Sequence, residues 1–257
     1  MNQLHTLWTE KKYQELSQRC QKLLSDQPNN GAVACIYAGS QAMTCTLMQP
    51  TLQDAWETFV QGFTNLQKEN PDPSVLSQAL STFCQALEMT DSNLEALFTP
   101  VCKYEASVDE LRKCKALLVA AVEHVLSLYT PDMLQNAAFA DSYLAFCRLG
   151  LQAADAYCAT RGVEKITSKK TFLSANFLDP ENRSDMVQRY DRLVQAVQVL
   201  KPDFAPSDTL ERTQPTAEHI QKVVQDFRHY LNPEEAAVHD HAESKTEKGG
   251  FLRRLFR

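Results

Sequence analysis

The chain has 257 residues, a net charge of −6 and an ordinary apolar content of 44%. This length suffices for one large domain or two small ones with a buried core. The acidic balance argues against nucleic-acid binding, because phosphate recognition needs a concentrated basic face. The densest basic cluster before the C-terminus consists of Arg161, Lys165, Lys169 and Lys170, which we interpret as a solvated loop.

Eight cysteines are present, and none belongs to a Cys-x-x-Cys motif. Most lie inside apolar helical patterns, where a reduced thiol behaves as a small hydrophobic group. The N-terminus lacks the basic start and apolar run of a secretory signal, and no stretch of about 18 apolar residues occurs. We therefore expect a cytoplasmic protein with reduced thiols, and a peripheral position at the inner face of a membrane is the alternative.

The composition favours helices throughout, because glycine is scarce and Leu, Ala, Gln, Glu and Lys lose little rotamer freedom in a helix. Prolines separate the predicted helices. In chain order we expect helices over residues 3–27 (as one helix or two), 32–48, 51–69 with Thr51 as its cap, 74–89, a short stretch from 92, 108–129, 131–160, 181–200 and 216–231.

Four of these helices have sequence signals for their first turn. The signals are capping-box spacing, where a serine precedes a glutamate by three residues, and a polar cap followed by proline. They occur at Ser92–Glu95, Ser107–Glu110, Thr130–Pro131 and Asp179–Pro180. Gly150 interrupts the longest predicted helix and predicts either a kink or a close helix crossing there.

These elements predict an all-α fold of about eight or nine helices, arranged as antiparallel helical hairpins stacked into a short solenoid or bundle with a flexible C-terminal tail. Residues 162–178 differ, because they combine β-branched and aromatic residues with weak periodicity. We interpret them as a loop packed against the helices. They are also the best candidate for a functional loop.

A short helical pattern near the N-terminus carries a family resemblance. Its residues are Tyr13, Leu16, Cys20, Leu23 and Pro28. This spacing resembles the second helix of a tetratricopeptide repeat, and weaker similarity extends over about residues 4–90. The chain departs from the family in repeat length. Pro28 and Pro71 lie 43 residues apart, whereas a tetratricopeptide repeat has about 34 residues. The resemblance implies a helical solenoid with a concave peptide-binding groove.

The clearest functional signal lies at the C-terminus. Its residues are Phe251, Leu252, Arg253, Arg254, Leu255, Phe256 and Arg257. In a helix the four apolar residues would fall within an arc of roughly 140°, with the arginines opposite. We interpret this segment as an amphipathic tail that docks on a protein partner. The alternatives are a weak contact with an anionic membrane surface and a frayed terminus.

The predicted organisation follows from these observations. Residues 1–100 are assigned to tetratricopeptide-like hairpins, 101–232 to a helical bundle that continues the stack, 233–250 to a charged flexible linker and 251–257 to the amphipathic basic tail. The sequence leaves the oligomeric state open.

No phosphate-binding glycine loop, nucleophile elbow, zinc-protease helix or kinase motif set is recognisable. The densest metal-ligand group consists of His239, Asp240, His241 and Glu243, and we interpret it as a solvated linker. His124 lies in an apolar helical pattern and is predicted to be a half-buried packing residue. We therefore predict no catalytic residue, metal or cofactor.

The predicted function is a non-enzymatic adaptor or scaffold that binds a partner protein through a helical surface and the C-terminal tail. One alternative is a peripheral membrane-associated helical protein that uses the tail as a weak anchor. The other is an unrecognised enzyme with a site near residues 162–178.

Overall fold

The structure is a computed structural model that describes residues 2–46, 51–101, 105–158 and 180–206. Within these ranges every regular element is an α-helix, which confirms the predicted all-α fold. The helices are α1 (Asn2–Thr9), α2 (Tyr13–Asp26), α3 (Gly31–Met43), α4 (Leu52–Lys68), α5 (Pro73–Val101), α6 (Glu105–Leu126), α7 (Pro131–Leu134), α8 (Ala137–Cys158) and α9 (Pro180–Leu200).

The helices pair as antiparallel hairpins that stack side by side. The hairpins are α1 with α2, α3 with α4, α5 with α6 and α8 with α9. The second helix of each hairpin also packs on the first helix of the next, as α2 does on α3 and α6 does on α8. Between hairpins, α3 packs on α5 and α5 on α8, whereas α4 packs on α6. The stack therefore has two layers, with α1, α3, α5 and α8 in the first.

Two hydrophobic clusters hold the described helices together. The main core extends from α3 to α9, and the stacked rings of Phe59 and Phe83, 4.1 Å apart, join α4 to α5 within it. A smaller cluster lies under the first hairpin and consists of Leu4, Leu7, Leu16, Cys20 and Val33. Trp8 packs against both clusters and therefore joins the first hairpin to the rest of the stack.

Glycines allow α3 and α4 to approach closely. A Cβ atom on Gly31 would lie 2.4 Å from the backbone nitrogen of Leu66, and one on Gly62 would lie 2.6 Å from the Cβ atom of Ala34. Neither distance is sterically allowed. The close packing of α3 on α4 therefore requires glycine at both positions, because glycine has no side chain.

Two predicted helix starts are wrong. Helix α5 continues through Ser92, whose hydroxyl donates to the carbonyl of Glu88 at 3.0 Å and so does not cap a new helix. Helix α6 begins at Glu105, which places Ser107 inside the helix. Both serines have the spacing of a capping box, but a serine can cap a helix only where its own backbone is not helical.

The Thr130–Pro131 start is confirmed, because the Thr130 hydroxyl accepts a hydrogen bond from an amide of the first turn at 3.3 Å. The long predicted helix nevertheless breaks near Asn136, whose side chain accepts from the Ala138 amide at 3.0 Å and starts α8. Gly150 lies inside α8, where an added Cβ atom would approach Leu193 Cδ1 to 2.9 Å. The glycine therefore marks the close helix crossing.

The first predicted helical segment consists of two helices, separated by a turn in which Lys11 adopts a positive φ of 57°. Thr51 precedes α4 as predicted, but its side chain does not cap that helix. Its hydroxyl instead donates to the carbonyl of Gln41 at 2.7 Å. This bond ties the start of α4 to the end of α3.

Several predictions lie outside the described residues. They concern the cap at Asp179, the segment 162–178 with its basic cluster, the helix 216–231, the linker 233–250 with its histidine group, and the tail 251–257.

Candidate functional site

A cleft of about 620 Å³ opens between α1, α3 and α5 in the first layer of the stack. Its apolar surface comes from all three helices and the end of α4, and is formed by Leu4, Trp8, Ala32, Cys35, Ile36, Leu66, Val75 and Ala79. Its polar groups are hydroxyls, amides and one imidazole, from His5, Gln78, Ser81, Thr82 and Gln85.

Trp8 forms the wall of the cleft on the α1 side. An added Cβ atom on Gly39 would lie 2.9 Å from Cζ3 of the indole, so the ring lies directly against the backbone of α3. The ring of Tyr13 packs edge-on against the indole at a centroid distance of 5.6 Å. These two contacts fix the position of a large, half-buried aromatic surface beside the cleft.

The residues that line the cleft include no carboxylate, lysine or arginine. An uncharged apolar surface with a few hydroxyl and amide groups matches a ligand that combines apolar side chains with peptide groups. Cys35 is the thiol in the lining, and burial raises its pKa to about 12. The thiol therefore stays protonated at neutral pH and serves as apolar surface.

The predicted site residues in the tail lie outside the described residues, so the structure does not place them near this cleft or away from it. His124 is exposed, and its ring stacks on Trp56 with centroids 5.7 Å apart. The prediction that His124 is half-buried is therefore wrong. Its imidazole lies on the solvent side of the Trp56 indole and covers that ring. Leu23 of the repeat-like pattern is also more exposed than expected, at 39%.

The predicted apolar role of the cysteines is confirmed for most of those that the structure describes. Six thiols are free and buried, at Cys20, Cys35, Cys45, Cys84, Cys114 and Cys147. Burial raises the pKa of Cys20 to about 11 and that of Cys84 and Cys147 to about 12. Cys45 differs, because its pKa is lowered.

None of the cleft residues was predicted from the sequence as a site, although a signal for the cleft exists. Residues 27–53 and 73–87 contain no charged side chain, and they include all of α3 and the first half of α5. A helix with a solvated face normally carries charges there. The absence of charges from α3 and from the first half of α5 is the sequence signal that these faces meet at an apolar surface.

No protein-family model, curated protein or solved structure matches this chain. In the ranges that the structure describes, no three His, Cys, Asp or Glu side chains come together in a way that would hold a metal ion. None of the described helices is long and apolar enough to span a bilayer.

Proposed function

We propose that this protein is a cytoplasmic, non-enzymatic adaptor that binds an apolar peptide segment of a partner protein in the cleft between α1, α3 and α5. The observation that supports this proposal is the cleft itself, with its apolar surface and its uncharged polar groups, set among the uncharged α1, α3 and first half of α5. Its volume is within the range of about 300–1,000 Å³ that is common for ligand sites. The resemblance to a tetratricopeptide repeat supports the same function.

The C-terminal tail is proposed as a second contact with the same partner. Phe251, Leu255 and Phe256 would supply an apolar helical face, and the arginines would point away from it. Two linked weak contacts raise the overall affinity, because the second binding event becomes intramolecular.

The cleft is tested by the substitution Val75→Glu. Val75 lines the cleft and is 41% exposed, so a glutamate is tolerated by the fold but places a charge where an apolar segment would bind. We expect capture of cleft-bound proteins from a cell extract to fall by about tenfold or more, as measured by quantitative mass spectrometry.

The matched control is Val199→Glu on α9. Val199 is 62% exposed and is not part of the cleft lining, so this variant adds the same charge at another exposed valine. Its captured proteins should equal those of the unmodified chain. Equal capture by Val75→Glu and the unmodified chain would refute binding in the cleft.

The tail is tested by comparing the full chain with a chain that ends at Lys248, in the same capture assay and in flotation with anionic vesicles. A protein partner predicts lost capture on truncation and on changing Phe251, Leu255 and Phe256 to alanine. The membrane alternative predicts lost flotation when the three arginines become glutamates. Unchanged capture and flotation after truncation would remove the tail from the proposal.

A further inference from the structure

The cleft between α1, α3 and α5 leaves apolar surface in contact with solvent. Val75 is 41% exposed, and Trp8, Ala32 and Ile36 are half-buried. These side chains come from three helices and line one concave surface. Apolar side chains exposed on one concave surface are typical of a site that another segment covers.

The chain itself contains a segment whose chemistry matches this cleft. Residues 251–257 combine four large apolar residues with three arginines, whereas residues 239–250 contain no large apolar residue. In a helix the four apolar residues of 251–257 would share one face. A cleft without charges can bury that face while the arginines stay at its rim, in contact with solvent.

The rim of the cleft is acidic where α4 is followed by α5. Glu69 and Asp72 are exposed in this turn, and each lies three residues from a lining residue, Leu66 and Val75 respectively. Lys68 is the basic residue of the turn, but it lies about 200° around the helix from Leu66 and therefore faces away from the cleft. The charge at this rim is thus opposite to that of the arginines in residues 251–257.

The connecting chain is long enough for residues 251–257 to reach the cleft. Helix α9 packs on α8, and α8 packs on α5, which is a wall of the cleft. With neighbouring helices about 8–10 Å apart and α9 about 30 Å long, the distance to be covered is on the order of 40 Å. The 44 residues 207–250 extend to more than about 140 Å, and to about 110 Å if residues 216–231 form the predicted helix.

We propose that residues 251–257 of the same chain occupy the cleft in the free protein as a short amphipathic helix, and that a partner segment enters the cleft by displacing them. This inference rests on the proposed function, because it assigns a regulation to the same cleft. The displaced tail then becomes available for its second contact with the partner.

The covalent connection makes a weak contact sufficient for this regulation. A linked segment experiences an effective concentration of about 1 mM at its site, so a dissociation constant of about 0.1 mM would keep the tail docked in about nine of ten chains. The apparent affinity of a competing segment then falls by about tenfold, because only the open fraction of the protein can bind it. The cleft is therefore closed to weak ligands and accessible to a partner that binds tightly.

Trp8 provides a direct measure of whether the cleft is occupied. The chain has one other tryptophan, Trp56, which is 7% exposed and stacked under His124. In a chain with Trp56→Phe, fluorescence quenching by acrylamide therefore reports on the Trp8 indole alone. Ending this purified chain at Lys248 should raise the Stern–Volmer constant by at least about twofold, because the docked tail covers the indole in most full-length chains. Equal constants for the two chains would overturn the proposal.

Three full-length variants identify the groups that make the contact. Changing Phe251, Leu255 and Phe256 together to alanine should raise the constant as much as truncation does. Glu69→Lys should raise it by less, because the apolar contact remains while the rim charge is reversed. The matched control is Glu57→Lys, an exposed glutamate of the same helix outside the cleft lining, and it should leave the constant unchanged. An unchanged constant in the alanine variant would refute docking of the tail.

The quenching measurement is independent of any partner, so its failure differs from failure of the proposed function. Lower capture by Val75→Glu together with unchanged quenching after truncation would mean that the cleft binds partners but not the tail. Greater quenching after truncation together with unchanged capture by Val75→Glu would mean that the tail occupies a cleft that binds no partner. Protection of Trp8 should also be independent of protein concentration, and protection that grows with concentration would overturn the proposal in favour of the tail of a second copy.

Discussion

At the scale of single residues, glycines allow close helix contacts at several positions, but the surroundings of these glycines differ. Gly31 faces backbone atoms of α4, which cannot move without shifting the helix. Gly150 faces side-chain methyl groups of Leu193 and Val122 at 2.9 and 3.0 Å. The same substitution should therefore have different costs at the two sites.

We predict that Gly31→Ala lowers the free energy of unfolding by about 2–3 kcal/mol, because the new methyl group must displace the backbone of α4. Gly150→Ala should cost less than about 1 kcal/mol, since side-chain methyl groups can shift and alanine is the better helix former. Urea denaturation of both variants measures the difference. Equal losses of unfolding free energy in the two variants would contradict the prediction, because the backbone of α4 would then yield as easily as a side chain.

At the scale of elements, α3 begins with a side-chain cap. The Asn30 side chain accepts a hydrogen bond from the Val33 amide at 3.1 Å. Asn30→Ala should lower the free energy of unfolding by about 1 kcal/mol, because that amide loses its partner. Asn29→Ala is the control, since Asn29 is an exposed turn residue just before the cap. Its denaturation midpoint should remain unchanged, and the prediction fails if the two variants melt alike.

The sequence predicted helices better than it predicted their ends. Proline fixes the backbone locally, so the start of α7 after Thr130 was predictable. A capping serine acts only if the chain turns there, and this depends on packing. Leu87 and Leu94 are both buried on α5, so continuing the helix through Ser92 keeps both in the core.

Local sequence patterns could not predict the cleft, for a similar reason. Its walls come from α1, α3 and α5, and their relative placement depends on contacts such as that between Trp8 and Gly39. The uncharged ranges 27–53 and 73–87 indicate apolar faces but do not say which faces meet.

At the scale of the whole molecule, buried thiols make the fold sensitive to alkali. Burial raises the pKa of Cys20 to about 11 and that of Cys35, Cys84 and Cys147 to about 12. In the unfolded chain these thiols ionise near about pH 8.5. Between these values the unfolded state binds fewer protons than the folded state, so stability falls as the pH rises.

We expect each of these thiols to remove up to about 1.4 kcal/mol of stability per pH unit above pH 8.5. Urea midpoints measured at several values between pH 7.5 and pH 10.5 would show this decline. A chain with Cys84→Ala and Cys147→Ala should give a shallower slope, even though its stability at pH 7.5 is lower. Parallel slopes for the two chains would contradict the assignment.

The division of the core has a consequence for the dynamics of the first hairpin. Helices α1 and α2 rest on the small cluster around Leu16, while the main core extends from α3 to α9. We therefore expect this hairpin to open as a separate cooperative unit, so that its amide hydrogens exchange with solvent at a lower free energy than those of α4 or α8. Because α1 is also a wall of the cleft, a bound segment would slow exchange in this hairpin first. Hydrogen exchange in this hairpin would therefore report whether a ligand occupies the cleft.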